Sequence, residues 1–198
     1  LGDQSIQIEY AYYKGMYAFT SALIFIIYIH VLFFLPKNKL DIPRIPSFPP
    51  LIMLFSLNFG LLIGIYNLYI IQLYKLPEFL NYLRSVEIGL FFILSSFILI
   101  YLSIQSFKNH REDPDPTTDS NTLITSGIFK YIRNPMYLAL TLSQFGIGAS
   151  LSFIHICLMS FVTIVLLHYF VVKKEEKYLT DRFGSSYITY LNSTRRWL

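Results

Sequence analysis

Charge is what this chain has least of. Of its 198 residues, 14% are Asp, Glu, Lys or Arg and 54% are hydrophobic, where a soluble domain carries roughly 25% charged residues. That shortfall, with a mean hydropathy of +0.49, excludes an ordinary soluble domain and points to a membrane protein. Cysteine is nearly absent. Cys157 stands alone inside an apolar run, which excludes an intramolecular disulfide and any cysteine-based metal site. No long apolar run carries Asp, Glu, Lys or Arg at its centre, so no charged ion path is evident. No cleavable signal peptide is evident either, because the first apolar run is too long and lacks a small-residue cleavage site after it. The net charge of +4 is modest. The basic residues gather at the ends of apolar segments, which suits lipid headgroups rather than nucleic acid.

What is present is a succession of uncharged runs. About 20 apolar residues cross a bilayer as a helix, and residues 15–35, 51–74 and 88–107 each qualify. Residues 135–172 are uncharged throughout. As one helix they would reach roughly 57 Å at about 1.5 Å per residue, against a hydrocarbon core of about 30 Å. That run must fold back. Gly146, Gly148, Ser150 and Ser152 mark the expected turn, between span four (135–149) and span five (153–172). The expected fold class is therefore all-α: an integral membrane bundle of about five transmembrane helices with a cytoplasmic C-terminal amphipathic helix. Residues 1–107 form an N-terminal three-helix membrane region. Residues 108–198 supply a polar loop, the helical hairpin and the C-terminal helix.

Smaller signals fill in this outline. A proline-rich loop at 36–50 joins the first two spans. His30 in the first span reads as a histidine bonded to a carbonyl near the interface. Asn58, Gly60, Gly64 and Asn67 recur at helical spacing in span two and mark a helix–helix contact. Leu179, Phe183, Tyr187 and Leu191 repeat every four residues, and Gly184 is a natural break between two helical pieces. Trp197, following Arg195 and Arg196, reads as an interfacial anchor. With five spans, Lys37, Lys39, Arg44, Lys108, Arg111, Lys130, Arg133, Lys173, Lys174, Lys177, Arg182, Arg195 and Arg196 share one side. Only Lys14, Lys75 and Arg84 face the other. That bias puts the polar clusters in the cytoplasm.

Two of those clusters carry chemistry. The first runs from Leu123 to Tyr137 and contains Arg133-Asn134-Pro135. Asn is a good N-cap and Pro is tolerated at the first helical position, so a helix is expected to start here. A helix start also offers N–H groups and a positive dipole end to a carboxylate, and Arg133 adds a bidentate fork beside it. On spacing alone Arg133 serves equally as a headgroup anchor, and Tyr137 as a ligand donor or a member of the aromatic belt. The second cluster is Lys173-Lys174-Glu175-Glu176. Adjacent glutamates point about 100° apart on a helix, so one can face a pocket while its neighbour faces the lysines. His168, seven residues before Glu175, shares that residue's face. A hairpin between the clusters would bring them to one membrane face.

Leu123-Ile-Thr-x-Gly-Ile-Phe-x-x-x-Arg133-Asn134-Pro135-x-Tyr137, an apolar hairpin, and then Glu175-Glu176-x-x-Leu179-x-x-x-Phe183-Gly184-x-x-Tyr187-x-x-Tyr190 resemble the isoprenylcysteine carboxyl methyltransferase and phospholipid methyltransferase superfamily over roughly residues 110–198. The resemblance implies S-adenosyl-L-methionine as methyl donor, bound without a Rossmann domain. Carried over by position, it implies that Arg133, Asn134 and Tyr137 hold the methionine end and that Glu175 or Glu176 holds the ribose. The backbone of Leu123, Thr125 and Gly127, with Tyr131, would lie near the adenine. His168 and Lys174 are weaker candidates, for the substrate side. The implied acceptor is lipophilic or a small apolar molecule reaching the site from the bilayer, through a carboxylate, an amine or a thiol. Two positions depart from the prenylcysteine enzymes: Asn134 stands where they carry His, and Val171 to Lys174 offer no arginine before the glutamate pair. No catalytic base, no metal site and no particular oligomeric state is read from the chain. The competing readings are an NADPH-dependent enzyme resembling the sterol reductases, disfavoured by Ala139, Leu140 and Tyr187, and a non-catalytic membrane protein.

Overall fold

In a computed structural model, the chain is described at residues 2–34, 49–115 and 118–197. The side chain of His30 and residues 36–48 of the expected proline-rich loop lie outside the described residues. Within them the chain is helical, with no strand. The helices are α1 (Gly2–Phe34), α2 (Pro49–Tyr66), α3 (Val86–His110), α4 (Pro135–Ser150), α5 (Ile154–Leu167), α6 (Lys173–Phe183) and α7 (Ser185–Ser193). Three continuous helical stretches are long and apolar enough to cross a membrane: Pro49–Tyr69, Val86–His110 and Ile154–Phe183. This fits an integral membrane protein.

Local sequence explains the boundaries. Ser85 caps α3 by accepting the Ile88 amide at 3.2 Å, Glu87 sits in its first turn, and Lys108 and His110 sit in its last. This charge order suits the helix dipole. Pro135 occupies the first turn of α4, where its missing N–H costs nothing. The hairpin turns at Leu151–Phe153, with Ser152 at φ 57° and the Phe153 amide bonded to the Gly148 carbonyl at 2.7 Å.

Gly146 and Gly148, expected as turn residues, are helical instead. They are packing residues. A Cβ on Gly146 would come within 2.7 Å of the Gly89 carbonyl oxygen in α3, and one on Gly148 within 2.7 Å of the Cys157 amide in α5. The glycines therefore set how closely α4 approaches both neighbours. Ser96, Ser103 and Ser106 on α3 are buried. Each returns its hydroxyl to a carbonyl three or four residues back, at 2.7–2.9 Å. Small side chains with satisfied hydroxyls permit close helix packing without orphaned polar atoms.

Asn58, Gly60 and Gly64 make the helix–helix contacts expected of them, whereas Asn67, just past α2, ties down the local turn instead. Asn58 donates to the Phe19 carbonyl of α1 at 3.0 Å. Gly60 and Gly64 lie against His155, Ile156 and Phe153 at the start of α5. Asn67 donates to the Tyr74 carbonyl at 2.9 Å and accepts the Tyr74 amide. A buried polar knot ties the helices together: Thr163 of α5 donates to Gln144 of α4 at 2.6 Å, and Ser56 of α2 donates to the Met159 carbonyl at 3.0 Å.

Beyond Leu167 the helix does not stop. It widens into a π-helical turn at His168–Val172, with the Lys173 amide bonded to the His168 carbonyl, and continues as α6. Gly184, at φ 54°, divides α6 from α7. Thirty continuous residues from Ile154 to Phe183 would measure roughly 45 Å, more than the ~30 Å core, so the polar last turns project past it.

Candidate active site

The hairpin returns the chain to the end of the bundle where α4 begins. There Tyr137 donates to a Glu175 carboxylate oxygen at 2.9 Å. Arg133 Nη2 lies 3.2 Å from Glu176 Oε1. The two polar clusters are thus in direct contact.

Glu176 is held by two guanidinium groups. Arg196 donates Nε to Oε1 at 2.9 Å and Nη2 to Oε2 at 2.8 Å, a bidentate fork. Arg133 pairs with the same carboxylate and also donates Nη1 to the Leu191 carbonyl at 2.6 Å. The Arg133 and Glu176 side chains are 7% and 12% exposed, so these are charges held away from water. Glu175 is different. Half-buried, it has no cation within ion-pair distance among the described residues, and the Tyr137 hydroxyl is its hydrogen-bond donor.

Arg133, Tyr137, Glu175 and Glu176 share a cavity of about 450 Å³, within the roughly 300–1,000 Å³ usual for small-molecule sites. Its walls are of two kinds. Glu112, Asp113, Asp115, Glu175 and Glu176 line it, with Arg133 as the basic lining residue. Among the described residues, five acidic side chains therefore meet here against one basic one. Pro49, Pro50, Ile100, Phe107, Met136 and Leu140 form an apolar arm. Ile100 stands about ten positions before the end of α3, or roughly 15 Å along the axis. The arm therefore runs well down the bundle.

The loop before α4 is pinned over the cavity. Glu112 accepts the Asn121 amide at 3.1 Å, the Thr122 amide at 2.7 Å and the Thr122 hydroxyl. Partial burial pushes the Glu112 carboxyl upward, but these bonds and nearby Arg182 outweigh it and hold it below its ordinary value. Ser120 donates its amide to Tyr178 of α6 at 3.1 Å. On the opposite wall, Tyr190 donates to the Phe129 carbonyl at 2.7 Å. Burial raises the Tyr187 and Tyr190 phenols well above their usual range, so both stay neutral.

Of the residues read from sequence, Leu123, Arg133, Asn134, Tyr137, Glu175 and Glu176 line the cavity. Thr125, Gly127, Tyr131, His168 and Lys174 stand outside it. The Gly127–Lys130 turn, entered at φ 62°, turns Phe129 inward and leaves Tyr131 exposed. The His168 ring lies edge-on to Tyr169. Asn134 precedes α4 but does not cap it: its amide instead donates to the Arg196 carbonyl at 3.2 Å. Sequence reasoning missed Glu112, Asp113, Asp115, Tyr187 and the partnership of Arg196. The Asp113-Pro-Asp-Pro run was the available signal for the acidic wall. Arg196 gave none, since an arginine beside a tryptophan at a membrane surface reads as an anchor.

Residues 85–186 match the profile of the phospholipid methyltransferase family. The chain belongs to that family. The match starts at the cap of α3 and ends inside α7, so it takes in α3, the pinned loop, the hairpin and the glutamate pair. No curated protein and no solved structure matches the chain.

Proposed function

We propose that this protein is a membrane-embedded methyltransferase that uses S-adenosyl-L-methionine and modifies a lipophilic acceptor. The observation that carries this reading is the shared cavity: the Arg133-to-Tyr137 stretch and the Glu175–Glu176 pair enclose one space of cofactor size. Family membership favours methyl transfer over the reductase reading. In this reading α1 to α5 make five crossings, and the cavity, α6 and α7 lie on the cytoplasmic side, in keeping with the excess of basic residues there.

The side chains fit the cofactor's chemistry. It carries a sulfonium and an ammonium, and the carboxylates of Glu112, Asp113 and Glu175 on the lining suit a cationic guest. Its carboxylate needs a donor. Arg133 has a buried Nε with no partner among the described residues and lies beside the start of α4, where no side chain caps the helix. Glu175, in no ion pair among the described residues, is suited to accept ribose hydroxyls while Tyr137 fixes its orientation. Leu123, Ile124, Phe129, Tyr187 and Tyr190 would exclude water from the reacting centre.

Bound there, S-adenosyl-L-methionine supplies an electrophilic methyl group for in-line transfer to a nucleophile. The chain's own contribution is alignment. The apolar arm from Pro49 and Pro50 to Ile100 and Leu140 suits the hydrocarbon part of an acceptor reached from the bilayer. The acidic wall disfavours a carboxylate acceptor and suits a neutral or cationic headgroup.

Isothermal titration of the detergent-solubilised protein with S-adenosyl-L-methionine, its demethylated product S-adenosylhomocysteine, and NADPH tests this. Saturable binding of the first two without the third is expected. A folded sample that binds neither rejects the proposal.

A further inference from the structure

The end of the described chain is a strap across the two motifs. The Arg133 amide donates to the Arg195 carbonyl at 2.9 Å, within a short parallel pairing of Ile132 with Arg195. Asn134 donates to the Arg196 carbonyl, and Arg133 donates to the Leu191 carbonyl. Trp197 packs on the apolar cluster of Tyr137, Leu167, Val171 and Val172, which fixes the strap to the hairpin. Arg196 itself does not line the cavity. Its side chain, 35% exposed, spends its fork on Glu176.

We infer that Arg196 is a positioning residue for the site, acting through Glu176 to keep Arg133 both in place and electrically uncompensated. The inference rests on reading the cavity as the cofactor pocket. Arg133, Glu176 and Arg196 together carry one net positive charge. Without Arg196, Glu176 would neutralise Arg133 alone, and the Arg133 end of the pocket would offer an anionic ligand group no local excess of positive charge. Arg196 also divides the labour of the glutamate pair. Glu176 is saturated by two guanidinium groups and becomes scaffold, while Glu175 remains available to a ligand.

The test is a double-mutant cycle in the full chain, with S-adenosylhomocysteine as the titrated probe. Arg196→Ala is expected to weaken binding about tenfold, the scale of one lost charge-assisted hydrogen bond. Arg196→Lys, which keeps the charge but not the fork, is expected to recover part of the loss. It also keeps the test alive should the alanine variant fail to fold. Because Arg196 acts through Glu176, combining Arg196→Ala with Glu176→Gln is expected to cost no more than the worse single change. Arg196→Ala binding within twofold of the parent, or two losses that multiply, overturns the inference. Hydrogen exchange at the Arg133 amide supplies a readout independent of ligand. If the parent binds no probe, the cofactor reading fails. The strap is then judged by whether Arg196→Ala exposes that amide, and unchanged protection overturns it.

Discussion

Tyr137 donates a 2.9 Å hydrogen bond to Glu175, 38 positions further along the chain. It joins the first turn of α4 to the first turn of α6 across the mouth of the hairpin. Replacing Tyr137 with Phe keeps the ring's packing and removes only the donor. A side-chain hydrogen bond contributes about 0.5–1.5 kcal/mol, so loss of the group that orients Glu175 should lower affinity for S-adenosylhomocysteine by up to about tenfold. Titration calorimetry would read this, and unchanged affinity would disconnect the tyrosine from the ligand.

The apolar arm of the cavity can be filled by one substitution on α4. Leu140 is half-buried and lines that arm. Leu140→Trp should abolish methyl transfer to a lipophilic acceptor while leaving the affinity for the methyl donor within about twofold, because the two guests use different walls. Parallel loss of both would show that the arm is not a separate compartment.

Gly146 sets the spacing of α3 and α4. In Gly146→Val the new Cβ would lie 2.7 Å from both the Gly89 carbonyl oxygen and the Ile93 side chain. Overpacking of this kind costs about 1–3 kcal/mol. Thermal unfolding in detergent should show a clear drop in midpoint, and the same change at exposed Ser186 should show none.

Glu112 makes the loop acid-sensitive. Its carboxyl titrates below its ordinary 4.5, so its contribution is complete above that value and is lost as pH falls through the lower folded one. Amide exchange at Asn121 and Thr122, corrected for intrinsic rates, should lose protection in acid below 4.5 but not at neutral pH. Glu112→Gln should remove that step and reduce protection at neutral pH. A variant with the same acid profile as the parent would assign the step elsewhere.

Much of this was legible in the sequence, for reasons particular to membrane chains. The uncharged run from 135 to 172 was too long to cross once, so a hairpin followed from length alone. Once it folded back, Tyr137 and Glu175 had to share an end. Residues brought in by helix faces were not legible. Nothing in the local pattern says that Pro49, Ile100 and Glu112 look into the same space, because apolar residues surround these helices and periodicity is weak. Gly146 and Gly148 were misread because glycine serves turns and close packing alike, and only the neighbouring helices decide which. Arg196 was passed over as the basic lead-in to the Trp197 anchor, because a short basic tail carries no sign that it folds back.

The wide turn at His168–Val172 has an effect on design as well as on shape. An α-helix advances about 100° per residue, and a π turn accommodates an added residue without a break. Shortening that turn by one residue would leave a helix that still crosses the bilayer but would swing Glu175 about a quarter of a circle away from Tyr137. The turn works as a phase adjuster: it lets the lipid-matched length of the rod and the azimuth of its reactive tip be tuned independently.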